Sequence, residues 1–172
     1  MMFLTTLNRT KQVAAGNLKW IDEMIHAREK LITLYFKLIA IQTNPNSKEE
    51  PNDPTIKELH QFCGILIDYL SRGHFELYPK ILTIMEHVSS RRLTIARRLV
   101  PRILNTTEPL LEFSDKYSEI TGHLPIDELR KDLGEIGQWL EIRFKHEDRM
   151  VIALQIMDNA IANANQSTNS NN

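Results

Sequence analysis

The sequence predicts an all-α protein, folded as an elongated antiparallel helical bundle with a four-helix-bundle-like core and extra short helices. Glycine and proline number only 6 and 7 among 172 residues, and aromatic residues make up 7%. Chain reversals are therefore few and strand-forming residues scarce. The apolar residues recur at steps of three and four, which is the period of an amphipathic helix.

The first helix is predicted to have about 24 residues, to carry an apolar stripe from Leu18 to Ile39, and to stop at Asn44-Pro45. Its apolar stripe takes alternating steps of three and four residues, and Arg28 occupies one position of that stripe. The segment 43–54 contains three prolines among polar residues, so it is predicted to be a loop.

Two further helices are predicted after this loop. Thr55 and Glu58 have the spacing of a capping box, which begins the second helix. We expect that helix to end at Gly73 in a left-handed conformation. A short third helix is expected over about 75–88, where Pro79 is tolerated only in the first turn. The apolar stripe of the second helix consists of Leu59, Phe62, Leu66, Tyr69 and Leu70.

A fourth helical segment begins at Ser90, which can cap it, and its apolar positions extend from Leu93 to Tyr117. Pro101 and Pro109 fall inside this segment, so kinks or one break are expected.

The longest helix is predicted after Pro125. At 1.5 Å per residue it would be on the order of 50 Å long, whereas a compact chain of this size has a radius of gyration of about 16 Å. The bundle must therefore be elongated. We expect residues 1–162 to form a single domain, and the Asn/Ser-rich residues 163–172 to form a disordered tail. The stripe of this helix consists of Ile126, Leu129, Leu133, Ile136, Leu140, Met150, Leu154, Met157 and Ile161.

Charge and cysteine content exclude several classes of protein. The chain has 21 basic and 22 acidic residues, a net charge of −1, which argues against a general nucleic-acid coat or a binder of acidic membranes. Cys63 is alone, so there is no intrachain disulfide and no cysteine-rich zinc site. The longest aliphatic run, 150–154, is far short of the roughly 20 residues that cross a bilayer. Residues 1–16 lack a signal-like apolar stretch, so we expect a cytoplasmic protein.

Charged residues occupy positions where the core stripes call for apolar ones. Arg28 lies on the first stripe, and Arg143 and Glu147 take two consecutive inward positions of the last stripe. An unpaired buried charge costs several kcal/mol, so such groups are paired or face a cleft. Two interpretations stay open: an internal network of these residues, with Asp68 as a further member, or a polar cleft in which a partner docks.

Asp68 has small neighbours one turn away on its helix, Gly64 and Ser71. They would leave its carboxylate in a shallow saddle that an arginine of a partner can reach. The alternative is close helix packing through Gly64, with Asp68 salt-bridged inside.

Motifs for metal binding or catalysis are weak. A di-iron bundle needs two Glu-x-x-His pairs, and only Glu23 and His26 match, off the apolar stripe. His60 and Cys63 are one turn apart, but no second pair has zinc spacing. We therefore expect no metal, cofactor or catalytic residue. His60 and Gly64 loosely resemble the His-x-x-x-Gly of histidine phosphotransfer bundles, so a phosphotransfer signalling module stays as the alternative function.

Between residues 91 and 102 the chain carries five arginines and no acidic residue. Interleaved aromatic residues, which nucleic-acid binding would favour, are missing. A solvated helix face or a patch for an acidic protein partner is the better interpretation. The arginines are Arg91, Arg92, Arg97, Arg98 and Arg102.

Three blocks of sequence share the pattern of one family. They are Phe62-Cys-Gly-Ile-Leu-Ile-Asp-Tyr-Leu-Ser-Arg-Gly-His-Phe75 with Tyr78, Arg28-x-x-Leu-x-x-x-Tyr35-x-x-Leu38, and Ile136-Gly-x-x-Leu-Glu-x-Arg143-Phe144-x-x-Glu147-Asp148. Over about residues 18–158 the chain resembles the Rsd/AlgQ family, the regulators of sigma D of Gram-negative bacteria. It departs from the family at Met24, where tryptophan is common, at Pro79 and in the tail.

The resemblance implies a helical bundle that binds the primary sigma factor, chiefly its region 4, and withholds it from core RNA polymerase. It also implies that Asp68 faces sigma. We expect a monomer that contacts neither DNA nor membrane. The expected sigma-binding residues are Asp68, Arg28, Tyr69, Arg72, His74, Arg143 and Glu147.

Truncation after Ala162 is expected to leave the fold intact, because residues 163–172 offer almost no apolar surface to bury. The melting temperature, followed by circular dichroism, should change by no more than a few degrees. A larger fall would mean that the tail packs on the bundle.

Overall fold

The computed structural model describes residues 19–39, 54–88 and 90–169, and it describes their side chains except at Val88 and over 155–169. Within these ranges the chain is helical and contains no strand, so the all-α prediction is confirmed. The elements are α1 (Lys19–Leu38), α2 (Ile56–Arg72), a π-helical turn (Gly73–Leu77), α3 (Tyr78–Val88), α4 (Ser90–Leu104), α5 (Thr107–Tyr117) and α6 (Ile126–Asn169).

The long helix α6 is the element against which the others assemble. It has 44 residues, a length of about 66 Å, and it packs on α4, α5, α3 and α1. The helix α2 packs between α1 and α5. Ile126, at the start of the predicted stripe of α6, is only partly buried. The other predicted core positions are buried as far as the side chains are described, namely Leu129, Leu133, Ile136, Leu140, Met150 and Leu154. Met157 and Ile161 lie beyond that limit.

The first stripe is confirmed over the described part of α1, where Ile21, Ile25, Ile32 and Tyr35 are buried. Arg28 is buried among them, with 1% of its surface exposed. Leu18 and most of the predicted loop over 43–54 lie outside the described residues. The spacing of apolar residues thus located the helix even though one inward position holds a charge.

The capping box at the start of α2 is confirmed. Thr55 Oγ1 accepts a hydrogen bond from the Glu58 amide at 3.2 Å, and Glu58 Oε2 accepts one from the Thr55 amide at 3.0 Å. The hydrogen bonds that Glu58 Oε2 accepts from the Thr55 amide and from the Thr55 hydroxyl lower the pKa of the Glu58 carboxyl. All five predicted stripe residues of α2 are buried.

The predicted left-handed end of α2 at Gly73 is wrong. Gly73 has φ −56° and ψ −53°, and the chain continues through the π-helical turn into α3. The reason for glycine is space. A Cβ on Gly73 would lie 2.7 Å from the hydroxyl of Tyr78 and 3.3 Å from Arg143 Nη2. The left-handed glycine of the described chain is Gly122, with φ 83°.

The fourth predicted segment contains the single break that its prolines indicated. α4 and α5 are separated at Asn105 and Thr106. Pro101 is accommodated inside α4, and Pro109 lies in the first turn of α5, where its missing amide costs little.

The backbone of α6 is helical through Asn169, which includes residues 163–169 of the predicted disordered tail. Extending an existing helix costs far less than starting one, so polar residues can continue it without an apolar face. Residues 170–172 lie outside the described range. That the tail contributes nothing to the packed domain stays a prediction.

Gly73→Ala is expected to lower the free energy of unfolding by about 1–3 kcal/mol, because the new methyl group overlaps the Tyr78 hydroxyl. Gly64→Ala is the matched control. Gly64 is exposed in the middle of α2, and nothing lies within 4 Å of its Cβ position, so alanine should stabilise by about 0.5–1 kcal/mol. Urea unfolding of both variants measures the contrast; equal changes would contradict the packing argument.

Candidate functional site

The carboxylate of Glu147, on α6, is the centre of a buried network of charged and hydroxyl side chains. Its Oε2 accepts hydrogen bonds from Arg28 Nη2 at 2.9 Å and from the hydroxyl of Tyr69. Its Oε1 accepts from the Tyr78 hydroxyl at 2.7 Å and from Arg143 Nε at 3.1 Å. Two guanidinium groups and two hydroxyls therefore satisfy both oxygens of a carboxylate that is 1% exposed.

Arg143 extends the network towards the break between α4 and α5. Its Nη2 donates to the Tyr78 hydroxyl at 2.7 Å. Its Nη1 donates to Thr106 Oγ1 and Thr107 Oγ1, both at 3.1 Å. The short connection between these two helices is thereby tied to α6 through one fully buried guanidinium group.

Arg28 joins α1 to the same centre. Its Nη1 donates to Asp148 Oδ1 at 2.6 Å, and its guanidinium carbon lies 4.7 Å from the centre of the Phe144 ring. The network thus contains two arginines, Arg28 and Arg143, and two carboxylates, Glu147 and Asp148, so its formal charges balance. Buried charges are tolerated when they are balanced and hydrogen-bonded in this way.

The pKa shifts follow from burial and from these charges. Burial by itself raises the pKa of Glu147, but the charges of Arg28 and Arg143 outweigh it and hold the pKa below its ordinary value. Burial, followed by the charge of Glu147, raises the pKa of the Tyr69 and Tyr78 hydroxyls. Both phenols therefore remain protonated and act as donors to the carboxylate.

The π-helical turn allows two tyrosines of one continuous helical run to reach the same carboxylate. Residues nine positions apart on a regular α-helix, such as Tyr69 and Tyr78, point in opposite directions. The turn over Gly73–Leu77 closes with a hydrogen bond from the Tyr78 amide to the Gly73 carbonyl, five residues back. The wider turn changes the angular relation, and glycine leaves room for the Tyr78 hydroxyl.

The prediction that Arg28, Arg143 and Glu147 form one polar cluster is confirmed, and the cluster is internal. Asp68, which one of the two interpretations added to the network, is exposed and lies outside it. Asp148 is the second carboxylate instead.

A groove between α1 and α2 opens beside the network. It has a volume of about 530 Å³, and we call it the α1–α2 groove. Residues that line it include Glu23, Ala27, Lys30, Ile65, Asp68 and Arg72. A smaller pocket of about 150 Å³ adjoins it and reaches the Glu147 carboxylate from the side of Trp20 and Gly73. The buried network therefore forms part of the pocket wall.

Asp68 stands exposed on the α1–α2 groove, and no side chain of the described residues pairs with it. Apart from the neighbouring backbone of α2 itself, no atom of the described residues lies within 4 Å of a Cβ built on Gly64, so none of the described helices packs there. The open saddle, rather than close packing through Gly64, is what the structure contains.

The two other exposed residues expected to bind sigma lie in different surroundings. Arg72 lies in the α1–α2 groove, with Nη2 at 3.4 Å from Glu23 and Nε at 3.7 Å from Glu76. His74 is on the π-helical turn, with its ring edge-on to exposed Phe75 at 4.7 Å. It lines a separate shallow groove against α5. The seven expected residues are therefore divided among the buried network, the α1–α2 groove and this second groove.

The weaker motifs are also placed by the structure. His60 is half-buried, and its Nε2 lies 3.0 Å from the Ile120 carbonyl oxygen. Cys63 is buried, and burial raises the pKa of its thiol to about 11. Glu23 and His26 are exposed. The described residues contain no group of three potential metal ligands, and none of their helices is apolar and long enough to cross a membrane.

Four members of the network were not among the site residues expected from the sequence. Tyr78 and Asp148 lie inside the family blocks, which was the available signal for them. No sequence signal pointed to Thr106 and Thr107, because they lie at a helix break whose position depends on packing. Their hydroxyls matter only because the break lies against Arg143.

These features define a class of protein, an all-α bundle whose longest helix holds a buried carboxylate between arginines and tyrosines of its neighbours. The chain belongs to the family described as Regulator of RNA polymerase sigma(70) subunit, Rsd/AlgQ, which it matches over residues 3–155. The resemblance noted in the sequence is thereby confirmed.

The chain is similar to several proteins named Regulator of sigma D. It is 33% identical over 153 residues to the one from Yersinia pseudotuberculosis, which covers 86% of each chain. It is 32% identical over 153 residues to that of Yersinia enterocolitica, covering 86% of this chain and 87% of the relative. The Shigella boydii protein is 33% identical over 146 residues, covering 84% of this chain and 89% of its own.

Glu147→Gln is expected to lower the free energy of unfolding by about 3–5 kcal/mol at pH 7, because two arginines lose their shared counter-charge. The folded-state pKa of Glu147 is below the ordinary 4.5, so its contribution is full above about pH 4.5 and is lost as the pH falls through the folded value. The gap between wild type and variant, measured by urea unfolding, should therefore narrow below that pH.

Glu135→Gln is the control on the same helix. Glu135 is exposed, and its Oε1 makes only a long ion pair with Lys131 Nζ, at 3.9 Å. Its unfolding should follow wild type at every pH within about 0.5 kcal/mol. A Glu147 variant with the same behaviour would contradict the role given to the network.

Proposed function

We propose that this chain is an anti-sigma factor, which binds the primary sigma factor of RNA polymerase, chiefly through sigma region 4. By occupying sigma it limits the association of sigma with core polymerase and with promoter DNA. Membership of the sigma(70)-regulator family and the similarity to proteins named Regulator of sigma D support this proposal. We also propose that the chain acts as a cytoplasmic monomer, without catalysis and without contacting DNA itself.

The observation that carries the proposed docking surface is the exposed carboxylate of Asp68 on the α1–α2 groove. Region 4 carries a basic helix that recognises promoter DNA, and an arginine of such a helix can meet Asp68 bidentately. Ala27 and Ile65 provide apolar surface beside the carboxylate. A charged rim around an apolar floor is the usual composition of a protein interface.

Two more carboxylates lie close by, Glu23 on the α1–α2 groove and Glu76 on the smaller pocket that adjoins it. Glu23 and Glu76 both lie near Arg72, and all three side chains are about half-exposed or more. Exposed ion pairs of this kind contribute about 0–1 kcal/mol, so they exchange partners at little cost. A basic helix entering the groove can therefore replace Arg72 at either carboxylate.

In this proposal the buried residues support the docking surface by holding its helices in place. They are Arg28, Tyr69, Arg143 and Glu147. Tyr69 and Glu147 form the wall of the adjoining pocket, and the network joins α1 and α2, which carry the groove, to α6. His74 lies on the separate groove against α5, so it would contact sigma only if the interface extends beyond the α1–α2 groove.

Phosphotransfer through His60 is the weaker candidate function. A phosphoryl-accepting imidazole needs an open ring nitrogen, whereas Nε2 of His60 lies at hydrogen-bond distance from a backbone carbonyl and the side chain is half-buried. Transfer of radiolabelled phosphate to His60 would support that alternative against sigma binding.

Asp68→Asn is expected to weaken binding to the primary sigma factor about 10- to 100-fold, since a buried charge-assisted hydrogen bond contributes about 1.5–3 kcal/mol. Stability should change little, because Asp68 is exposed and has no partner in the described part of the chain. Isothermal titration with full-length sigma and urea unfolding of the same variant separate the two effects.

Glu135→Gln serves again as the control, since it removes an exposed carboxylate of α6 that does not line the groove. It should bind sigma as wild type does. If Asp68→Asn binds normally while Glu135→Gln does not, the docking surface is elsewhere. If wild type forms no complex with sigma, the proposed function fails.

A further inference from the structure

The arginine-rich segment forms most of α4, and three of its arginines lie on one exposed face of that helix. Arg91, Ile95, Arg98 and Arg102 recur at steps of four, three and four residues, so they lie along one stripe of the helix. All four are exposed, and Ile95 is 42% exposed. Arg97 is on the opposite flank, where its Nη2 lies 3.6 Å from Glu86 of α3.

A second stripe runs along α6, where Trp139, Ile142, His146 and Arg149 recur at steps of three, four and three residues. Trp139 and Ile142 are 37% and 40% exposed. Together with Ile95 they account for three of the five exposed large apolar side chains of the described chain.

Contacts between α4 and α6 bring the two stripes together. The helices run antiparallel, since Arg92 Nη1 donates to the Ala153 carbonyl at 3.2 Å while the Ile103 carbonyl lies 3.4 Å from Arg143 Nη1. The charge of Arg102, on α4, acts on His146 of α6. We call the paired stripes, Arg91, Ile95, Arg98 and Arg102 with Trp139, Ile142, His146 and Arg149, the α4–α6 surface.

The charged side chains of this surface are all basic. Among the described residues, Arg91, Arg98, Arg102 and Arg149 make no ion pair. Burial lowers the pKa of His146, and the charges of its cationic neighbours, Arg149 first, lower it further. Its Nδ1 is buried without a hydrogen-bond partner in the described residues. A positive potential that the described residues leave without counter-charges attracts carboxylates.

We propose that the α4–α6 surface docks an acidic amphipathic helix of a protein partner. Apolar side chains on one face of that helix would pack on Ile95, Trp139 and Ile142, and carboxylates beside them would meet the arginines. Helices that dock in grooves are recognised through apolar anchors at helical spacing in this way. This surface does not include the α1–α2 groove proposed for sigma, so it can serve a second partner.

A protein fits the surface better than a nucleic acid. Single strands are held by bases stacked on several aromatic rings, and the surface offers only Trp139 among aliphatic side chains. Ile95 and Ile142 would gain nothing from phosphates, whereas they can bury apolar side chains of a helix. The chain as a whole also carries a net charge of −1.

The test uses the full chain and a fluorescein-labelled peptide of about 18 residues, made of Glu, Ala and Leu with the Leu residues on one helical face. Fluorescence anisotropy should show saturable binding. A peptide of the same composition, with its Leu residues scattered around the helix, should bind at least about fivefold more weakly. It cannot place a continuous Leu face on the apolar side chains while its Glu residues meet the arginines. Failure of the amphipathic peptide to bind, or equal binding of the scrambled one, overturns the proposal.

Neighbouring arginines supply a matched pair of variants. Arg98→Glu should weaken peptide binding at least about tenfold, while Arg97→Glu, the same change one residue earlier, should stay within about twofold. Equal losses would indicate a general charge effect and contradict the site. Trp139→Ser and Leu111→Ser, both at residues 37% exposed, test the apolar part in the same way, and only the first should weaken binding.

A single-stranded oligonucleotide of about 12 nucleotides is the competing probe. Tighter binding of the oligonucleotide than of the peptide, lost in Arg98→Glu but not in Arg97→Glu, would assign the surface to nucleic acid and overturn the proposal. Circular dichroism of each variant verifies that the fold is retained.

Discussion

The carboxylate of Glu147 is the constraint on which the rest of the structure depends. It receives an arginine from α1, a tyrosine from α2, a tyrosine from α3 and an arginine from its own helix. Arg143 carries the connection on to the break between α4 and α5. The six helices of the described residues are thus all connected to this carboxylate, four of them directly and α4 and α5 through Arg143. Each hydrogen bond has a direction, so the network fixes the rotation and register of the helices more narrowly than apolar contact can.

This arrangement explains two local departures from regular helix geometry. The π-helical turn and the glycine at its start both serve to bring the Tyr78 hydroxyl to the network without a clash. Apolar residues of equal volume could give a core of similar stability, since buried ion pairs offset their own desolvation only in part. The network instead joins α1 and α2, which form the α1–α2 groove, to α6, and its residue Glu147 lines the adjoining pocket.

The two proposed docking surfaces differ in charge, and both depend on α6. The α1–α2 groove presents the exposed carboxylate of Asp68, with Arg72 loosely paired to Glu23 in the groove and to Glu76 in the adjoining pocket, and it is the surface proposed for a basic partner. The α4–α6 surface presents arginines around exposed apolar side chains, and it suits an acidic one. A chain with a net charge of only −1 can therefore recognise partners of opposite character, because its charges are separated in space.

The sequence by itself determined the helical class, the buried faces and the capping box at Thr55. These follow from apolar period and from local bonds between near neighbours. It also identified Arg28, Arg143 and Glu147 as inward charges, since they interrupt stripes. Only the tertiary structure decided their partners. Asp148 rather than Asp68 completes the network, and Gly73 makes room rather than ends a helix, because both depend on which side chains of distant segments meet there.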